Sequence, residues 1–261
     1  MLRPRITPCL LRHNGGLVKT VGFGSPRYVG DPINAMRIFN EKEADELVFL
    51  DIDATVRGVE PDYAMIARLA AECRMPLCYG GGVRSVAQAK KIIGLGVEKV
   101  TLSAAALATP GIIPQIADEI GRQSVVVVLD VKKRAENTDY DVYVHNGTRN
   151  TTRRVLEVAR EVEALGAGEI VINSIDRDGT MKGYDLELAR IVRQGVKIPM
   201  TVLGGAGSLA DIEALIAACG VVGAAAGSLF VFKGVYRAVL INYPSISQKD
   251  DVIRKALSAP A

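Results

Sequence analysis

Leu77 to Ser85 reads LCYGGGVRS and Val202 to Ser208 reads VLGGAGS, two apolar runs about 125 residues apart that each end in glycines and a serine. The same offset relates Asp51 and Asp53 in LDID to Asp176 and Asp178 in SIDRDG, and VTLSAAAL at Val100 to AAAGSLF at Ala224. Two similar halves imply one duplicated architecture. The repeat fails at one position: VVVVLD ends at Asp130, whereas its counterpart RITPCLL ends at Leu11.

Around these runs, short apolar segments alternate with longer segments of helical period, the signature of βα units. Strands are expected at 5–11, 46–51, 76–79, 99–102, 124–130, 169–173, 199–203 and 221–225. Helices are expected at 33–42, 62–74, 86–95, 112–121, 152–165, 185–194, 209–219 and 231–240. VVVVL is apolar on both faces, as suits a parallel strand with helices outside and packed side chains inside. GLGVEKV, ALGAGEIVI and ACGVVGAAA each place glycine after a helix and before a strand, the position of a left-handed cap. Eight such units close into an α/β (βα)8 TIM barrel made of two similar half-barrels, with residues 1–261 as a single domain. A doubly wound open sheet, the alternative, needs a reversal of strand order that the repeat does not suggest. In a barrel the site gathers at the C-terminal strand ends, so Leu11, Asp51, Gly80, Ser103, Asp130, Asp176, Gly204 and Gly227 are expected at one mouth.

Composition narrows the function. With 261 residues and 49% hydrophobic content the chain can bury a large core. Its 32 basic and 29 acidic residues leave a net charge of +3, too small to argue for nucleic acid or an anionic membrane. Cys9, Cys73, Cys78 and Cys219 have no ligand spacing, so neither a metal nor a disulfide framework is expected; without a nucleotide fingerprint, no cofactor is expected either. The apolar stretch of MLRPRITPCLL is short for a leader, and no run approaches the roughly 18 residues of a membrane span. A soluble cytoplasmic protein is the expectation.

The glycine runs carry the first chemical hint. Gly81 and Gly82 before Ser85, and Gly204, Gly205 and Gly207 before Ser208, put unhindered N–H groups at strand ends, where a phosphate could bind. Glycine also serves ordinary turns, but the repetition, with Ser103 on one side and Gly227 and Ser228 on the other, suggests two phosphate sites across the mouth. A phosphorylated small molecule would fit. Asp130 ends a wholly apolar strand, where a carboxylate needs a rim position and a partner, and it is the candidate for acid/base work. Of Asp176 and Asp178, one is expected to face the ligand and the other to hold the loop, and Asp176 is taken as the ligand-binding one. Lys19 lies in a glycine-rich stretch, 15–30, long enough to form a lid. His13 and His145 have no neighbouring nucleophile pattern, so a triad is not supported.

These residues resemble a known family, the cyclase subunit of imidazole glycerol phosphate synthase, which passes ammonia from a glutaminase subunit through its barrel. RITPCLL, LVKTVGF, GDPINAMRIFNEKEADELVFLDIDA, CYGGGVRS, EKVTLSAAAL, GRQSVVVVLD, GAGEIVINSIDRDGTMKGYD and LGGAGSLADI all align with it, from about residue 1 to 240. The resemblance implies Asp130 as general acid/base, Lys19 as the lysine over the ligand, the glycine runs as phosphate sites, and Arg5, Glu46, Lys99 and Glu169 as a charged ammonia gate at the barrel floor. Two positions depart from the family pattern: Leu11 stands where the family has a second catalytic aspartate, and Ser103-Ala104 stands for Asn-Thr.

Leucine cannot carry a proton, and losing one member of an acid/base pair removes about 10²–10⁴ in rate. The sequence therefore resembles the paralogue that works beside a glutaminase and a sugar amidotransferase, where ammonia turns an acetamido into an acetamidino group on a surface-polysaccharide sugar. The alternatives are an authentic cyclase of histidine biosynthesis and a non-catalytic subunit that activates the glutaminase.

Overall fold

Alternation along the first strand sets the plan of the molecule. In β1 (Arg5–His13), Ile6 and Leu10 point into an apolar layer under the helices, while Cys9 and Leu11 point into a second, smaller apolar cluster inside the barrel. Successive side chains of a strand face opposite ways, so a strand covered on both sides must be apolar throughout. The computed structural model describes residues 3–135 and 139–258.

Seven more strands repeat the pattern: β2 (Leu47–Asp51), β3 (Leu77–Gly80), β4 (Lys99–Leu102), β5 (Val125–Lys133), β6 (Glu169–Ser174), β7 (Met200–Leu203) and β8 (Gly223–Ala226). Each pairs in parallel with the next, and β8 returns to β1 with Arg5 opposite Gly223. The ring is closed. Helices α1 (Pro32–Glu41), α2 (Tyr63–Glu72), α3 (Val86–Gly94), α4 (Ile112–Ile120), α5 (Val155–Ala164), α6 (Leu186–Gly195), α7 (Leu209–Cys219) and α8 (Ile246–Ser258) complete a (βα)8 TIM barrel. Several starts are written in the sequence: Asp31, Asp62, Ser85 and Asp185 each accept the N–H three residues on, and Ser208 with Asp211 forms a capping box.

The repeat has a steric basis. Gly81 (φ 115°) folds back so tightly that a Cβ there would sit 2.3 Å from the Asp51 carbonyl oxygen at the end of β2. Gly204 (φ 99°) makes the same approach to the Ser174 carbonyl at the end of β6, at 2.7 Å. Only glycine tolerates both the conformation and the contact.

Three expectations need correction. The stretch 15–30 is a hairpin rather than an irregular lid: Gly16–Val21 pairs back on β1 and with Gly24–Gly30. A second hairpin, Tyr140–Val144 with Arg149–Arg154, continues β5, so α5 begins at Val155 and not at 152, because Thr151 and the residues around it belong to a strand. The helix expected at 231–240 does not form. Gly234 (φ 72°) turns the chain between Phe232–Lys233 and Ala238–Val239, and α8 starts only after Pro244. Lys249 then anchors α8 to the floor, its ammonium 2.5 Å from Asp45 Oδ1.

Candidate active site at the barrel mouth

The C-terminal strand ends enclose a cavity of about 600 Å³, floored by Cys9, Leu11, Leu50, Val128 and Leu203 from the interior cluster. Polar groups stand on its walls: Lys19, Asp51, Asp130, Asn173 and Asp178. Every inward strand position can be counted from the floor by twos, which is why Glu169, Val171 and Asn173 rise in one column on β6 and Arg5, Thr7, Cys9 and Leu11 in another on β1.

Asp130 is enclosed by the mouth and opens only partly to the cavity. Burial raises its pKa to about 7, against the pull of the Asn173 carboxamide, whose Nδ2 donates to Oδ1 at 2.9 Å; the nearby Asp178 pushes it up further. A carboxyl poised there can give or take a proton at neutral pH. Burial, rather than a neighbouring charge, is the largest cause of the shift. Asn173 Oδ1, in turn, is buried with no partner among the described residues.

Lys19, carried on the first hairpin, is only 5% exposed and donates to the Cys9 carbonyl oxygen at 2.6 Å. Burial lowers its pKa, and Cys9 and Asp178 partly restore it. The ammonium also lies against Gly227, where any Cβ would come within 2.5 Å of Nζ. Gly227 is thus required for the lysine to lie flat across the mouth.

Asp178, not Asp176, faces the cavity. Its Oδ2 accepts from the Thr20 hydroxyl (2.7 Å) and from the Phe23 N–H (3.0 Å), tying the first hairpin to the β6 loop. Asp176 points outward, where it accepts the Lys133 N–H at 2.9 Å; the single intervening Arg177 puts the two carboxylates on opposite sides of the turn. Gly81, Gly82, Ser103, Gly204, Gly205, Gly227 and Ser228 all line the cavity. Gly207 does not: its N–H is taken by Asp211 within the cap of α7. His145, from the tip of the second hairpin, also lines the cavity, and the neighbouring Asn146 Nδ2 donates to the Ile52 carbonyl across the mouth at 2.8 Å.

At the opposite end Arg5, Glu46, Lys99 and Glu169 form an alternating square. Arg5 donates to Glu46 (2.6 Å) and Glu169 (2.7 Å), and Lys99 to the same two residues at 2.6 and 2.9 Å. The Thr201 hydroxyl adds a bond to Glu169. Burial alone would raise the Glu169 pKa, but Lys99 and Arg5 outweigh it and lower it. Among the described residues no cluster of His, Cys, Asp or Glu side chains could hold a metal ion, and no helix is long and apolar enough to cross a membrane.

The sequence profile of the family described as "Histidine biosynthesis protein" matches residues 5–237, all eight strands included. The chain belongs to this histidine biosynthesis family. Among its relatives, the protein named "Putative imidazole glycerol phosphate synthase subunit HisF" from Leptospira borgpetersenii is 56% identical over 250 residues, covering 96% of this chain and 98% of that protein. The Vibrio vulnificus protein named "Putative imidazole glycerol phosphate synthase subunit hisF3" is 57% identical over 249 residues, 95% of this chain and 96% of its own. The Lactococcus lactis subsp. lactis protein named "Imidazole glycerol phosphate synthase subunit HisF" is 44% identical over 212 residues, 81% and 82% of the two chains. This member of the histidine biosynthesis family is thus HisF-like along its whole barrel.

Asn173 is the residue that sequence reasoning missed. Its signal was present: it is the one polar side chain of EIVIN in register, by twos, with Glu169.

Proposed function

We propose that this HisF-like chain is the synthase-type subunit of a glutamine amidotransferase pair. A glutaminase subunit docks on the floor, ammonia enters past Arg5, Glu46, Lys99 and Glu169, crosses the barrel and emerges beside Asp130. The observation that carries this reading is the coexistence of an intact charged square at the bottom of the barrel with Leu11 in the lining of the mouth cavity. Between them lie Cys9, Val48, Cys78, Val126 and Val171, an apolar interior in which an ammonium ion would be poorly solvated. Only neutral NH3 suits such a path, and it arrives as a hydrogen-bond donor. Two buried acceptors without partners among the described residues stand on inward positions along the way, Thr7 Oγ1 above the square and Asn173 Oδ1 at the mouth.

With Leu11 in place of the second catalytic aspartate, the chain delivers ammonia to an acceptor other than the family's imidazole precursor: an acetamido group of a surface-polysaccharide sugar, converted to acetamidino by a sugar amidotransferase. Incubation with phosphoribulosyl-formimino-AICAR phosphate and ammonium salts tests this. Little or no imidazole glycerol phosphate is expected, and turnover at the rate of an ordinary cyclase would refute the reading.

The second reading, an authentic cyclase of histidine biosynthesis, is favoured by Asp130, whose pKa of about 7 suits acid/base catalysis by a single carboxylate. Rescue of a histidine auxotroph lacking its own cyclase would decide for it.

A further inference from the structure

Around one sector of the mouth rim, large apolar side chains stand out in water. Phe232–Lys233 and Ala238–Val239 form a small hairpin, and its tip carries Val235 and Tyr236 at 91% and 92% exposure. The first hairpin lies beside it with Val21 and Tyr28 exposed, and the Arg27 guanidinium, 5.1 Å from the centre of the Phe232 ring, ties the two together. On the other flank Arg237 reaches the Thr180 carbonyl oxygen at 3.5 Å, in the turn after β6. Lys19, Met181 and Ser228, from the first hairpin, that turn and the residues leading into the small hairpin, line the cavity. Single exposed apolar residues are ordinary, but a group of them on adjoining elements marks a contact surface.

The same sector is one-sided in charge. Segments 16–30 and 227–245 hold Lys19, Arg27, Lys233 and Arg237 and no acidic residue, and the flanking Asp31 caps α1. Lys182 adds another cation from the turn after β6, where Asp178 is already engaged by Thr20 and Phe23. Among the described residues Arg27, Lys182, Lys233 and Arg237 are in no ion pair. A basic surface with exposed tyrosine and arginine suits an acidic protein face, since those two side chains anchor interfaces and opposite charge steers the approach. A second copy of the chain would bring like charges together.

We propose that this sector docks an ammonia-consuming enzyme whose acidic face has an apolar recess for Val235 and Tyr236. The inference rests on the ammonia-delivery reading above. NH3 that escapes into water at neutral pH is protonated and no longer a nucleophile, so a consumer seated on the exit keeps it reactive, while the glutaminase occupies the opposite end. The test combines the full chain, its glutaminase and the sugar amidotransferase, and measures amidotransferase binding by sedimentation velocity together with the product formed per glutamine hydrolysed. Tyr236→Ala and Lys233→Glu, both at exposed positions, should each weaken binding by about tenfold and lower that ratio by about threefold or more. Glutamine hydrolysis should stay at the parent rate, with the missing ammonia released into solution. Variants that bind and couple as the parent does would overturn the docking surface and leave the delivery reading intact. A parent complex that makes no product from glutamine would refute delivery and the inference with it. Sedimentation of the parent, but not of the variants, with phosphatidylglycerol vesicles would assign the surface to a membrane, and a parent dimer that the variants dissociate would assign it to a second copy; either overturns the proposal.

Discussion

At the scale of single residues, the acid/base role proposed for Asp130 comes with a measurable thermodynamic signature. Its folded pKa, about 7, lies above that of an unfolded aspartate, so the native state holds the proton more tightly; the associated stability is fully present below about pH 4 and is lost as pH rises through 7. Asp130→Asn removes the charge and should match the parent near pH 4 but exceed it above about pH 8 by on the order of 2–4 kcal/mol, read from denaturant melts at both pH values. The same variant should lower ammonia-dependent product formation by about 10²–10⁴ while the glutaminase is stimulated as before; unchanged product would leave only the scaffold role. Asp130 was legible because a charged group closing an apolar strand has few places to go. The choice between Asp176 and Asp178 was not: one residue of turn separates inward from outward, and only the Thr20 and Phe23 donors on a distant hairpin decide it.

At the scale of elements, the barrel strands and most helices could be read from alternation and caps, but both hairpins and the last helix could not. The stretch 15–30 looked like loop because its buried arm is short, with Lys19 and Thr20 following Leu17 and Val18, and its other arm is mostly exposed, and VFKGVYRAVL looked helical because its apolar residues satisfy either period. Long-range pairing decided these cases, through β1 for the first hairpin and β5 for the second. The second hairpin is held over the mouth at its tip by Asn146 and the Ile52 carbonyl, with His145 and Asn146 both in the left-handed region (φ 53° and 54°). Asn146→Ala removes that bond from an exposed tip. Amide hydrogen exchange in 140–154 should quicken by about threefold to tenfold, as expected for about 1 kcal/mol of local stability, with little change in global melting; uniform exchange rates across the hairpin would show that the latch holds nothing.

Across the whole molecule, one axis links a charged floor, an apolar interior and a polar mouth, and stability and the proposed ammonia transit make opposite demands along it. The square is sound as structure: Glu46 and Glu169 are each shared by Arg5 and Lys99, and removing one carboxylate leaves two cations to share the other. Glu169→Gln should cost about 3 kcal/mol, lowering Tm by about 6–12 °C at neutral pH. Because the Glu169 pKa is lowered on folding, its contribution is present above the ordinary glutamate value and lost as pH falls through the folded one, so parent and variant should converge in acid. Thr7 behaves in the opposite sense. Its hydroxyl is buried one inward step above the square with no partner among the described residues, a state that costs about 1–3 kcal/mol, so Thr7→Val, nearly equal in shape, should raise Tm by about 2–12 °C. If that hydroxyl is retained as a resting place for ammonia, the stabilised variant should also release more glutamine-derived ammonia into solution while product formed from added ammonium salts stays unchanged. A Thr7→Val protein that is more stable and leaks no more than the parent would separate the hydroxyl from transport altogether.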